Sequence, residues 1–147
     1  MYERLLVPVD GSEFSDKSVT QSVALARQLG ARIVGFVAEP TMTLPNMSVN
    51  PSAYARESDA HDARTDEHAK AVLDKFEAAA KAAEVPFRGV YSRASNVEQA
   101  IAQAATENEC DMIVMATHGR GALGELVFGS HTKGVIARTH IPVLVLH

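Results

Sequence analysis

The densest group of residues able to do chemistry is Thr117-His118-Gly119-Arg120-Gly121-Ala122-Leu123-Gly124, which continues through Gly129-Ser130 to His131 and Thr132. Glycines at 119, 121, 124 and 129 let backbone amides approach an anion closely. Ser130, where a helix should begin, adds a hydroxyl and the positive end of a helix dipole. Phosphate is the ligand this chemistry suits best. The stretch lacks the Gly-Lys-Ser/Thr ending of a Walker loop, and it does not follow the first strand, where a dinucleotide fingerprint belongs. A second turn, Asp10-Gly11-Ser12, carries a carboxylate that can orient a ligand, help hold magnesium on phosphates, or simply form the turn. Arg120 can reach a phosphate or remain a solvated loop charge.

Other polar residues support no competing site. His61 and His68 stand seven apart in a polar segment, and His140 and His147 flank a short apolar run, so no histidine cluster has metal-ligand spacing and surface roles are expected. Cys110 has no neighbouring His or Lys and reads as a structural thiol. Ser12 and Ser15 are expected to cap a helix. There is no placed general base and no second carboxylate, so any hydrolysis of a phosphate ligand should be slow and no residue is assigned as catalytic.

The elements that must position these turns follow from periodicity. RLLVPV at 4–9 reads as a buried strand, Ser15 to Leu29 as a helix stopped by Gly30, and RIVGFVA at 32–38 as a second strand. The prolines at 40, 45 and 51 mark 40–53 as a long loop. An alanine-rich apolar stripe predicts a long helix from about 55 to 84. A third strand at 86–92 is followed by Ser95-Asn96-Val97-Glu98, which matches a capping box with Ser95 as the cap, and by a helix to about 108. DMIVMA at 111–116 and IPVLVL at 141–146 read as the last two strands, separated by a helix from about 130 to 138. Strict alternation with near-continuous apolar strands predicts a doubly wound five-stranded parallel α/β sheet. Its strand order should reverse between the first and fourth strands, placing the two turns in one crevice.

Bulk properties agree with one domain over 1–147. A chain of 147 residues, 46% hydrophobic and 22% charged, should bury roughly 70% of its unfolded surface. A net charge of −4 with scattered cations argues against a nucleic-acid partner. No apolar run approaches a membrane span or a signal segment, and the lone cysteine fits a reducing compartment, so a cytoplasmic location is the expectation. The last strand is apolar at both parities, and a second copy pairing along it would cover that edge.

The segment Gly119, nine residues, then Gly129-Ser130 resembles the nucleotide-binding motif of the universal stress protein family, in which Gly, two residues, Gly, nine residues and Gly-Ser or Gly-Thr recur. Ala116 stands where the family has its first glycine. The opening VPVDGSEFS and the closing IPVLVL are also similar to the family's first and last strands, so the resemblance spans the chain. It implies an adenine-nucleotide alpha-hydrolase-like fold with strand order 3-2-1-4-5. It implies binding of ATP or another adenine nucleotide, with or without Mg, and homodimers formed through the C-terminal strand. By the same resemblance Asp10 meets the nucleotide after strand one, with Pro8 and Val9 beside it, and Val37 flanks the adenine. Met115, Ala116, His118, Gly119, Arg120, Gly129, Ser130, His131 and Thr132 surround the ribose and phosphates. A non-nucleotide interaction module working through the dimer surface is the alternative.

Overall fold

The computed structural model describes residues 1–42, 50–116 and 130–147, excluding the side chains of Glu13, Phe14 and Ser130. Five strands and four helices alternate: β1 (Arg4–Pro8), α1 (Glu13–Leu29), β2 (Arg32–Pro40), α2 (Pro51–Ala82), β3 (Phe87–Ala94), α3 (Val97–Glu107), β4 (Met112–Ala116), α4 (Ser130–Ile136) and β5 (Val143–Leu146). Every pairing is parallel, as the alternation predicts, and the sheet order is β3-β2-β1-β4-β5, as the family resemblance implies.

The period of two along the strands divides the core between the two faces of the sheet. Leu5, Val7, Ile33 and Val37 pack with Val23 and Ala26 of α1 and with Ala69, Leu73 and Phe76 of α2. Leu6, Val34, Phe36, Ile113 and Met115 pack with Ile101, Ala104 and Ala105 of α3 and Val135 of α4. Leu5, Leu6 and Val7 are fully buried. Full burial explains why this strand reads as a continuous apolar run and not as an alternating one.

Local chemistry shifts several element ends from the sequence expectation. Helix α1 starts at Glu13 because Ser12 alone is the cap, its Oγ accepting from the Ser15 amide at 3.2 Å. The Ser15 hydroxyl instead accepts from the Asp10 amide. The loop expected over 40–53 is too long at both ends. Glu39 and Pro40 continue the pairing with Arg93 and Ala94 of β3, while Pro51 opens α2 behind an Asn50 cap, a position where a missing amide costs nothing. Ser95 does not cap α3: the Asn96 side chain accepts from the Gln99 amide at 2.9 Å, which frees Glu98 for another partner.

The N-terminal edge of the sheet is tied by Asp111, whose carboxylate accepts from the amides of Glu3 at 2.8 Å and Arg4 at 3.0 Å. Burial pushes this carboxyl up, but those two amides, its own amide and the chain's terminal amine outweigh it, leaving the group below its ordinary value. A carboxyl depressed in the folded state stabilises above the usual carboxylate range, and that stabilisation is lost as pH falls through its folded value. Asp111→Asn should therefore lower unfolding free energy by about 1–2 kcal/mol at neutral pH. In denaturant melts the gap to wild type should close as the pH is taken below the carboxylate range.

Candidate functional site

Strands β1 and β4 lie side by side, Leu5 opposite Met112 and Leu6 opposite Ile113. The chain leaves β1 for α1 on one face of the sheet, whereas α4 packs on the other. Helices α1 and α4 therefore lie on opposite faces beside these two strands, and a crevice opens at the strands' carboxyl ends. A cavity of about 310 Å³ occupies it, a size within the range of small-molecule sites.

Strand ends, a turn and three helices contribute described residues to the wall. The strand ends supply Pro8, Val9, Met115 and Ala116, and the first turn supplies Asp10 and Ser12. Helix α1 adds Ser15 and Ser18 at one-turn spacing. Phe36 and Ala38 of β2, with Val97 and Ile101 of α3, form an apolar portion, while His131 and Thr132 come from the first turn of α4. Ser18 is 1% exposed, and its hydroxyl has no hydrogen-bond partner among the described residues.

Asp10 also organises its own turn, with Oδ1 accepting from the Ser12 amide at 2.9 Å. Gly11 holds a φ of 83°, and a Cβ there would stand 2.9 Å from Val72 Cγ2 and 3.3 Å from His68 Nε2. The turn is thus pressed against α2. His68 is anchored in turn by Glu39, whose Oε1 lies 2.6 Å from His68 Nδ1 and whose side chain is 7% exposed. His61 Nε2 lies 3.1 Å from the Pro40 carbonyl. These two histidines stand at the surface, as expected, and from there also hold α2 to the end of β2.

Of the residues anticipated from sequence, Pro8, Val9, Asp10, Met115, Ala116, His131 and Thr132 line the cavity. The Val37 side chain does not: it has the parity of Ile33 and is buried against α1 and α2, while its neighbours Phe36 and Ala38 face the cavity side. His118, Gly119, Arg120 and Gly129 lie outside the described residues, and Ser130 opens α4 with its side chain undescribed. Sequence reasoning missed Ser18, Phe36, Ala38, Val97 and Ile101. It also missed Glu98, whose Oε1 lies 2.8 Å from His131 Nδ1.

A larger cavity, about 450 Å³, separates β3 from α3 and is bordered by Ser92, Arg93, Gln99, Gln103 and Glu107. It sits at the sheet edge, beside the outermost strand β3. Among the described residues no three His, Cys, Asp or Glu side chains group to hold a metal. Burial pushes the Cys110 thiol up to about 11, which makes it a poor nucleophile. No described helix is long and apolar enough to cross a membrane.

Gly11→Ala should lower stability by about 1–3 kcal/mol, combining an unfavourable positive φ with displacement of Val72. Thermal melts check this, and an unchanged melting temperature would show that the turn relaxes easily away from α2.

Comparison with known proteins gives a concordant result. The family model described as the universal stress protein family matches residues 1–147. A universal stress protein from Thermus aquaticus, in the 3′ region of a QAH/OAS sulfhydrylase, is 30% identical over 146 residues, covering 99% of both chains. A universal stress protein solved in complex with cAMP superposes with a TM-score of 0.66 at 22% identity, over 99% of this chain and 97% of that one. The protein from Archaeoglobus fulgidus in complex with dAMP superposes at 0.63 and 17% identity, over 99% and 98%.

Proposed function

Since the chain belongs to the universal stress protein family, we propose that it binds an adenine nucleotide, ATP being the leading candidate, in the cavity between β1 and β4. The observation that carries this reading is the division of the cavity wall. Phe36, Ala38, Val97 and Ile101 offer an apolar slot suited to a purine ring. Asp10, Ser12, Ser15, Thr132 and His131 supply groups suited to ribose hydroxyls and phosphates. The buried Ser18 hydroxyl, without a hydrogen-bond partner among the described residues, adds a polar group to the same wall. The cAMP and dAMP complexes of fold relatives support the adenine class. Asp10 is one carboxylate, so magnesium would be held jointly by it and the ligand's phosphates.

The nucleotide acts as the regulatory ligand of a stress-response dimer in the cytoplasm, and occupancy changes what the dimer recruits. The dimer forms through β5, which ends the sheet order and whose four residues Val143–Leu146 are apolar and half-buried. Val143→Lys should convert a dimer to a monomer in sedimentation velocity; a variant that sediments as wild type would move the interface elsewhere.

Calorimetric titration tests the site itself. Wild type should bind ATP, and Asp10→Ala, with its fold checked by circular dichroism, should bind at least about tenfold more weakly, a loss of about 1.4 kcal/mol. Equal binding by both proteins would place the nucleotide outside this cavity. No binding by folded wild type would favour the interaction module, for which the Ala116 methyl at the cavity wall is the relevant feature.

A further inference from the structure

Resting on the nucleotide reading, we infer that His131 contacts the phosphate end of the ligand only as an imidazolium, so that nucleotide binding takes up a proton and weakens as pH rises. The geometry that points to this is the three-residue contact between α3 and α4. The helices approach so closely that a Cβ on Gly134 would stand 2.5 Å from Glu98 Cγ and 3.2 Å from its Cδ. The Glu98 stem is thereby confined against α4, and its carboxylate meets His131 Nδ1 at 2.8 Å.

That bond commits one ring nitrogen as a donor. Nε2, on the opposite side of the ring, belongs to a side chain that is 61% exposed and lines the cavity. In the neutral ring Nε2 carries a lone pair, which repels a phosphate oxygen. In the imidazolium it carries a hydrogen and makes a charge-assisted bond.

Charged groups face the ring from both helices. Glu98 faces it from α3 and is held below its usual value by its own backbone amide, then by the His131 bond and the charges of His131 and Arg138, against the opposing effect of burial. The carboxylate therefore stays ionised throughout the histidine range. Arg138 acts from α4, where it donates to the Gly134 carbonyl at 3.0 Å and does not line the cavity. Asp10 lines the cavity from the β1–α1 turn, and β4 contributes only Met115 and Ala116. Among the described residues, His131 is thus the one side chain lining this cavity that can become a cation, opposite a fixed carboxylate and a ligand that is itself anionic.

The test is calorimetric titration of the full chain with ATP and with adenosine at pH 6.5 and 8.5, in two buffers of different ionisation enthalpy so that proton uptake is read directly. Wild type should lose roughly thirty- to a hundredfold in ATP affinity across that interval while taking up close to one proton per ATP at intermediate pH, and adenosine binding should not change. His131→Gln should bind ATP with no such loss and no uptake. The terminal phosphate, with a pKa of about 6, titrates in both proteins alike and in the opposite direction. Glu98→Gln, which keeps the imidazole, should move the fall in affinity to lower pH and serves if the first variant does not fold. A wild-type pH profile in His131→Gln, or the same pH dependence with adenosine, overturns the inference and leaves nucleotide binding standing. Absence of ATP binding by folded wild type at both pH values removes the nucleotide reading and this inference together.

Discussion

Strand β1 carries the fold because it is hydrogen-bonded on both sides, to β2 along its whole length and to β4 through Leu5 and Leu6. With all strands parallel, their carboxyl ends lie at one end of the sheet. The chain's departure from β1 toward α1, and the packing of α4 on the opposite face, leave a gap between these elements. The cavity is a consequence of that divergence. Asp10 and Ala116 reach it because they sit at the ends of adjacent strands, not because they are near in sequence.

Helix packing then decides what the cavity presents. Helix α1 brings Ser15 and Ser18 to one side, and α3 brings Val97 and Ile101 to another, so polar and apolar walls meet within one small volume. Two glycines set the closeness of this assembly. Gly11 lets the first turn press on Val72 and His68, and Gly134 lets α4 settle over the Glu98 stem. In each case a side chain from a distant part of the chain fills the place a Cβ would take, which is how remote helices come to control residues at the cavity wall.

The fold was legible in sequence because fully buried strands leave long apolar runs, and the 3-2-1-4-5 order followed from alternation and the family's resemblance. Boundaries were less legible where two local rules competed. Pro51 reads as a loop residue by composition, yet proline at a first helical position is favourable, and Asn50 supplies the cap. Ser95 and Asn96 are both good caps, and only the geometry of Gln99 selects the second. Much of the cavity wall was legible at strand ends, from Pro8 to Asp10 and at Met115 and Ala116. Parity could have reassigned Val37, since Phe36 and Ala38 share the alternate register. The Glu98–His131 pair and the Ser18 hydroxyl had no sequence signal, because each depends on how two helices pack.

The proposal that an adenine nucleotide occupies the gap between β1 and β4 rests on the divided wall of that cavity. The most direct measurement is a backbone amide NMR titration of the full chain with ATP. The account predicts saturable shifts concentrated at residues 9–12, 115–116 and 131–132, with the β3–α3 cavity unaffected. Shifts clustered at that edge cavity instead, or none at saturating ATP, would contradict it.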